Sequence, residues 1–362
     1  MPIEIKQHVA LLPYTMYKIG GPARFFAEPK NADEIKEAAD FAVREKVPFV
    51  ILGNGSNMLV SDKGFNGLVM RVNRGVAVAK GEYLYADAGV SMARAVTEAA
   101  RAGLTGFEWG IGVPGTIGGS VRGNAGCFGG EMRQVVERVQ LLEFPISKSQ
   151  FPNNIPVYAT SVAPPSHKAM AGRSEAMKVK KASAGKQIPN SKFQIREINN
   201  DTCQFNYRDS IFKKNPNWVI LSTTLKLHKG IPEEIQEKIR HTTAERVRKQ
   251  DIGTKSCGCI FKNVLWERNG INKAEVLNRF PELEQFKGVT GIPASYLVDK
   301  TGLKGTRAAH CFISECHANF FVNEGGATAA DVRELIQIAK DKVYKKFGVE
   351  LEEEIQYIGF ED

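Results

Sequence analysis

The sequence predicts an α+β protein of more than one domain, and three observations carry that expectation. The chain has 362 residues, 43% hydrophobic and 25% charged, enough to build more than one buried core. Its first third alternates strand-like and helix-like segments. Its last third changes to charged helices separated by short strands, and a glycine-dense centre stands between the two.

The elements follow in order. Residues 31–45, NADEIKEAADFAVRE, read as a helix: Asn31 caps it, acids fill the first turn and an apolar stripe recurs at helical spacing. The segment VPFVILG, 47–53, is a short buried strand running into a glycine turn, and 67–72 is another strand. Residues 91–102 form an alanine-rich helix stopped by Gly103. In 106–130 the glycines are interleaved with Trp109, Ile111, Val113, Ile117 and Val121, which suits backbone held close to something flat or phosphorylated better than a loose linker. Strands are expected at 135–144, 203–207 and 217–226. Beyond them come helices at 232–249, 273–278 and 329–347, with strands near 259–261 and 311–322. Breaks in this pattern fall near Asn73 and near His228–Lys229–Gly230.

The net charge of +9 is unevenly spread. Residues 146–196 hold nine bases and one acid, Glu175, so this stretch carries eight of the nine net charges and the rest of the chain is close to neutral. The stretch collects Ser, Pro, Ala and Asn without periodicity, the composition of a long loop or disordered insert at about 147–197. A contact for anionic partners is the alternative. A nucleic-acid module is not expected, because the charge sits in one aromatic-poor segment. No apolar run approaches the roughly 20 residues of a membrane span, and no secretory signal is visible. The expectation is a cytoplasmic protein without a transmembrane segment.

The six cysteines, 127, 203, 257, 259, 311 and 316, contain no C-x-x-C pair and read as reduced thiols. The run from His310 to His317 invites a metal, but its residues alternate along a strand and no second cluster has zinc-ribbon spacing, so no metal is expected. Walker A, HExxH, EF-hand and GxSxG patterns are absent.

Two loops carry chemistry. Gly53-Asn54-Gly55-Ser56-Asn57-Met58 comes straight after a buried strand, where small residues let successive N–H groups turn inward as an anion nest; a plain tight turn is the alternative. The second runs through Pro114, Gly115, Thr116, Gly118, Gly119 and Ser120 to Asn124, Ala125 and Gly126. Two glycine-rich phosphate loops in one chain suit a dinucleotide better than a mononucleotide.

These loops belong to an ordered series. YKIGGPA at 17–23, LGNGSN at 52–57, GVPGTIGGSVRGNAGCFGGE at 112–131 and YRDSIFK at 207–213 are followed by SCGCIFKN at 256–263. LKG at 303–305, HANF at 317–320 and FGVELEEEIQYIG at 347–359 complete it. The series resembles the UDP-N-acetylenolpyruvoylglucosamine reductase (MurB) family over almost the whole chain, apart from the basic insert. Only a strand and one helix separate Phe212 from Ser256, so the chain is similar to the shorter type of that family, which lacks an extra substrate loop.

The resemblance implies a two-part FAD-binding domain of the vanillyl-alcohol-oxidase-like type, with parts 1–73 and 74–228, and a C-terminal α+β substrate-binding domain, 229–362. It implies non-covalent FAD, NADPH as co-substrate, and reduction of UDP-linked enolpyruvyl-N-acetylglucosamine for peptidoglycan precursor synthesis, by a monomer. Hydride passes from flavin N5 to the enolpyruvyl methylene carbon. By motif position Arg208 and Glu354 stabilise the enolic intermediate, and Tyr207, Lys262 and Asn263 meet the substrate, with the cation and amide suited to its diphosphate. The proton donor of most relatives is a serine at the place held here by Cys259. A thiol stays protonated near neutral pH and releases its proton more readily than an alcohol, so Cys259 takes the role of general acid, with oxidation as its liability. Cys257 reads as packing, with a resolving thiol as the alternative. The competing reading of the whole chain is an inactive flavin-binding scaffold recruited through the basic insert.

Overall fold

The computed structural model describes residues 2–144, 193–251 and 253–360, so most of the basic insert lies outside the described residues. The first sheet has four strands in the order Lys6–Ala10, Pro22–Ala27, Phe65–Arg71 and Phe49–Leu52. The outer pair is antiparallel and the other two pairings are parallel. The helix Ala32–Arg44 begins where Asn31 accepts the Glu34 N–H, and its Ile35, Ala38, Ala39 and Ala42 are buried against this sheet. Its alanines let the helix lie close to the strands.

The second sheet is antiparallel, in the order Gln194–Asn199, Val136–Glu143, Trp218–Lys226, Tyr83–Asp87 and Ala77–Lys80. The helix Met92–Arg101, capped by Ser91, and the short helix Ile117–Arg122 pack on it around Leu84, Val96, Phe107 and Phe212. Leu142, Phe144 and Val219 of this sheet share a core with Phe25 and Phe49 of the first. The helix Pro232–Lys249 leans Ile239 on the same second-sheet core.

The remaining core gathers Phe261, Leu297, Ile313, Phe321, Leu335 and Phe347 around the helix Ala329–Phe347, and takes in Tyr17, Ile19 and Leu59 from the start of the chain. Gln356–Ile358 then pairs in parallel with Met58–Val60, nearly 300 residues earlier. That pairing carries the tail back to the first glycine loop. Among the described residues no helix is long and apolar enough to cross a membrane.

Four expectations change. Residues 259–261 form no strand: Cys259 and Phe261 make only isolated bridges, to Phe320 and Glu353. Residues 203–207 are not a strand: Asp201–Cys203 is a 3-10 turn, and Asn206 and Asp209 bond each other across a tight bend with Arg208 at φ 52°. The strand that follows the insert is Gln194–Asn199, so the insert ends before Gln194, and Arg196 is a strand residue ion-paired to Glu143 at 2.8 Å. The segment 311–322 is a hairpin, Cys311–Ile313 against Phe321–Asn323, because Ser314 and His317 turn the chain between them.

Candidate functional site

The two glycine loops lie side by side. Asn54 Nδ2 donates to the Gly115 carbonyl at 3.2 Å, and Ser56 Oγ donates to the Pro114 carbonyl at 3.3 Å. The approach requires small residues, since a Cβ on Gly53 would stand 2.8 Å from Thr116 Oγ1. Gly55 adopts φ 62°, and a Cβ there would sit 2.5 Å from the Tyr14 carbonyl.

Together the loops wall a cleft of about 380 Å3, within the roughly 300–1,000 Å3 range of ligand pockets. Residues 53–58 line it, as do Pro114, Gly115, Thr116, Gly118, Gly119, Ser120, Ala125 and Gly126. Asn124 does not. It is fully buried, donates to Glu131 and to the Asn206 carbonyl and accepts from the Arg133 N–H, so its amide ties the second loop to the Arg208 bend.

The loops differ in what they offer an anion. The second has spent its first donors: Ile117 N–H bonds the Val90 carbonyl, Gly118 N–H the Ala88 carbonyl and Gly119 N–H the Thr116 hydroxyl. The N–H groups of 54–57 donate to none of the described residues. The first loop therefore has N–H groups to offer an anion, and the second offers glycine backbone beside them. A pyrophosphate at 54–57 beside that glycine wall is a fit for FAD.

Chain crossings bring the catalytic candidates to the same cleft. The segment 259–262 runs between 319–320 and 352–354: Ile260 N–H bonds the Asn319 carbonyl, Lys262 N–H the Glu352 carbonyl, and Glu354 N–H the Ile260 carbonyl at 2.7 Å. Asn319, 2% exposed, accepts from Phe261 N–H and donates to the Phe261 carbonyl. Asn57 Nδ2 donates to the Glu354 carbonyl, and Gln356 N–H to the Asn57 carbonyl. Glu354 is thus fixed between the Cys259 segment and the first glycine loop.

Arg208 reaches it from the other side. Its Nε lies 2.8 Å from Glu354 Oε1, with both side chains less than a quarter exposed, and its Nη2 donates to the Gly126 carbonyl at 3.0 Å. Arg208, Cys259 and Glu354 all line the cleft. Burial, and next the Glu354 carboxylate, push the Cys259 thiol up to about 12, against the opposing pull of Arg208 and Asn319. The expected oxidation liability of an acidic thiol is corrected by that environment. Cys257 is 2% exposed and burial likewise pushes its thiol up.

Tyr207, Lys262 and Asn263 do not line the cleft. They form their own group: Tyr207 Oη accepts from Asn263 N–H at 3.1 Å, Asn263 Oδ1 accepts from Ala294 N–H, and Lys262 pairs with exposed Glu352 at 3.5 Å. Three basic cleft residues escaped the sequence reading. Arg122 donates to Gln356, Arg246 is 3% exposed and donates to Cys127 Sγ and to Gln250, and Lys213 donates to the Arg208 carbonyl. Lys213 stood inside YRDSIFK and could have been found there; Arg246 is one base among several on a charged helix.

Comparison with known proteins accords with this layout. Residues 23–144 match the FAD binding domain family, and 250–358 match the C-terminal domain of UDP-N-acetylenolpyruvoylglucosamine reductase. The reductase of that name from Carboxydothermus hydrogenoformans is 30% identical over 98% of this chain and 94% of its own. That of Caldanaerobacter subterraneus is 33% identical over 96% of this chain and 91% of its own. The crystal structure of MurB from Thermus caldophilus, 26% identical, superposes with a TM-score of 0.65 over 99% of both chains. The chain belongs to the UDP-N-acetylenolpyruvoylglucosamine reductase (MurB) family and is an FAD-dependent oxidoreductase of α+β fold.

Proposed function

We propose that the chain reduces UDP-N-acetyl-3-O-(1-carboxyvinyl)-glucosamine to UDP-N-acetylmuramate with NADPH, as a cytoplasmic monomer in peptidoglycan precursor synthesis. The observation that carries this reading is the meeting of Arg208, Glu354 and Cys259 in the cleft that both glycine loops line. Parts 1–73 and 74–228 hold the dinucleotide, with the 54–57 N–H groups toward its pyrophosphate, and 229–362 receives the sugar nucleotide. Tyr207, Lys262 and Asn263, gathered beside the cleft, suit its diphosphate.

What FAD supplies when bound is hydride transfer through N5, from NADPH to the methylene carbon of the enolpyruvyl group. The protein handles the charge that results. The carbon–carbon π pair moves onto the adjacent carbon and its carboxylate, where the Arg208 guanidinium, already desolvated and held by Glu354 and the Gly126 carbonyl, balances it without reorganising. Cys259 then gives its S–H proton to that carbon. The S–H bond breaks, a C–H bond forms, and the thiolate recovers a proton from solvent, so each turnover consumes one hydride and one proton. The environment that pushes the thiol up to about 12 keeps the acid form filled at neutral pH and returns the proton to sulfur quickly.

Anaerobic two-stage stopped flow tests the reading. NADPH is expected to bleach the flavin, and the enolpyruvyl substrate to restore its colour. Bleaching without recolouring leaves a flavin-binding scaffold and overturns the assignment.

A further inference from the structure

Arg208 occupies a backbone conformation that L-residues adopt only rarely. Its φ of 52° lies in the left-handed region, a strained conformation that persists only when surrounding contacts over-determine it. The bend 206–209 supplies part of the hold through reciprocal Asn206–Asp209 backbone bonds. The rest comes from Lys213, whose Nζ donates to the Arg208 carbonyl at 2.6 Å.

Lys213 sits on the one-turn helix Ile211–Lys214, which is itself clamped. Phe212 is buried in the second-sheet core, and Ser210 Oγ donates to the Arg122 carbonyl at 2.6 Å. Among the described residues no carboxylate lies within ion-pair distance of Lys213. The charged groups that face it are Arg122 from the helix Ile117–Arg122, Lys262 from the Cys259 segment, Asp209 from the bend and Glu354 from the tail. Two cations oppose its charge, and the neutral Arg208 carbonyl is its hydrogen-bond partner.

We propose that Lys213 is a positioning residue for the reaction: its ammonium grips the Arg208 main chain in the left-handed bend and so aims the guanidinium at the Glu354–Cys259 end of the cleft. The side chain does this through the peptide, leaving every guanidinium donor for Glu354, Gly126 and the substrate. A charge-assisted bond to a carbonyl is roughly twice as strong as one from a neutral amine, so the grip weakens when the ammonium loses its proton. Burial, followed by Arg122 and Lys262, pushes that proton's loss down to about 8.

The proposal rests on the role assigned above to Arg208, and the experiment separates the two. Flavin reduction by NADPH and reoxidation by saturating enolpyruvyl substrate are followed in wild type, Arg208→Met, Lys213→Met, Lys213→Gln and the double methionine variant. Each is checked for retained flavin and melting temperature. Lys213→Met is expected to slow reoxidation about tenfold to a hundredfold with flavin reduction within about twofold of wild type. Lys213→Gln, which keeps a donor, recovers part of the loss, and the double variant is no slower than Arg208→Met alone. Wild-type reoxidation falls as pH rises through about 8, and this limb is missing from Lys213→Met. Unchanged reoxidation in Arg208→Met overturns the assigned mechanism itself. Slow Arg208→Met with unimpaired Lys213→Met overturns the positioning role alone. A Lys213→Met defect cured by more substrate also overturns it, and makes the lysine a direct contact to an anionic substrate group. If Lys213→Met loses its flavin or fold, the glutamine variant and the wild-type pH profile decide, and absence of both the defect and the limb refutes the proposal.

Discussion

Replacing Cys259 tests the chemistry most directly, because both its proton and its reactivity follow from where the thiol sits. Its surroundings push it up to about 12, so below pH 10 nearly every molecule carries the proton that the reaction needs. Cys259→Ala removes that donor, and reoxidation by substrate is expected to slow by about 10²–10⁴, the usual contribution of a positioned general acid. Cys259→Ser keeps a donor in place and falls between the two. The same environment predicts a quiet thiol. At about pH 8 a cysteine of ordinary pKa near 8.5 is roughly one-quarter thiolate, against about one part in 10⁴ for Cys259; the greater nucleophilicity of the more basic thiolate returns part of the deficit, leaving alkylation on the order of fiftyfold slower than at a free cysteine. Cys316, exposed on the same chain, is the internal standard. Stopped-flow absorbance gives the first number and peptide mass spectrometry after timed iodoacetamide treatment gives the second. Alanine reoxidising as fast as wild type removes Cys259 from the mechanism. Cys259 alkylating as fast as Cys316 refutes the account of its environment.

Further outcomes follow from other contacts. Glu354→Gln breaks a half-buried pair with Arg208; the loss should stay below the roughly 3–5 kcal/mol of a fully buried pair, and slower reoxidation at unchanged flavin reduction should accompany a lowered denaturation midpoint. Asn319→Ala removes two bonds to the Phe261 backbone and should destabilise by about 2–4 kcal/mol in urea titration, with stability unchanged if the amide is incidental. Gly55→Ala drives a Cβ into the Tyr14 carbonyl at a left-handed position, so flavin should dissociate at least about tenfold more readily, measured by fluorescence on dilution. Full retention of flavin would contradict the loop's part in holding it.

Local chemistry was legible in the sequence wherever neighbours along the chain decide the outcome. Asn31 announced its helix because a cap needs only its own next turn, Gly103 marked the end of the one at 91–102, and the helices expected at 232–249 and 329–347 have those bounds in the structure. Both glycine loops were visible because their small residues are consecutive. The bend at 206–209 was not, since no glycine marks its left-handed residue and the Gly126 carbonyl that Arg208 meets lies 82 residues away along the chain.

Motif resemblance was enough to pick out which residue types could do the chemistry: a cation in YRDSIFK, a glutamate before the final strand, a thiol where relatives usually have a hydroxyl. Their meeting depends on folding. Arg208, Cys259 and Glu354 come together because the Gln356–Ile358 strand docks on Met58–Val60 and the Asn319 amide clamps the Cys259 segment beside it. The acidity of that thiol was decided in the same way. Cysteine alone suggests a reactive group, whereas burial and an adjacent carboxylate make Cys259 a reluctant one, because the cost of a charge depends on the dielectric and the charges around it, and those arrive only with folding.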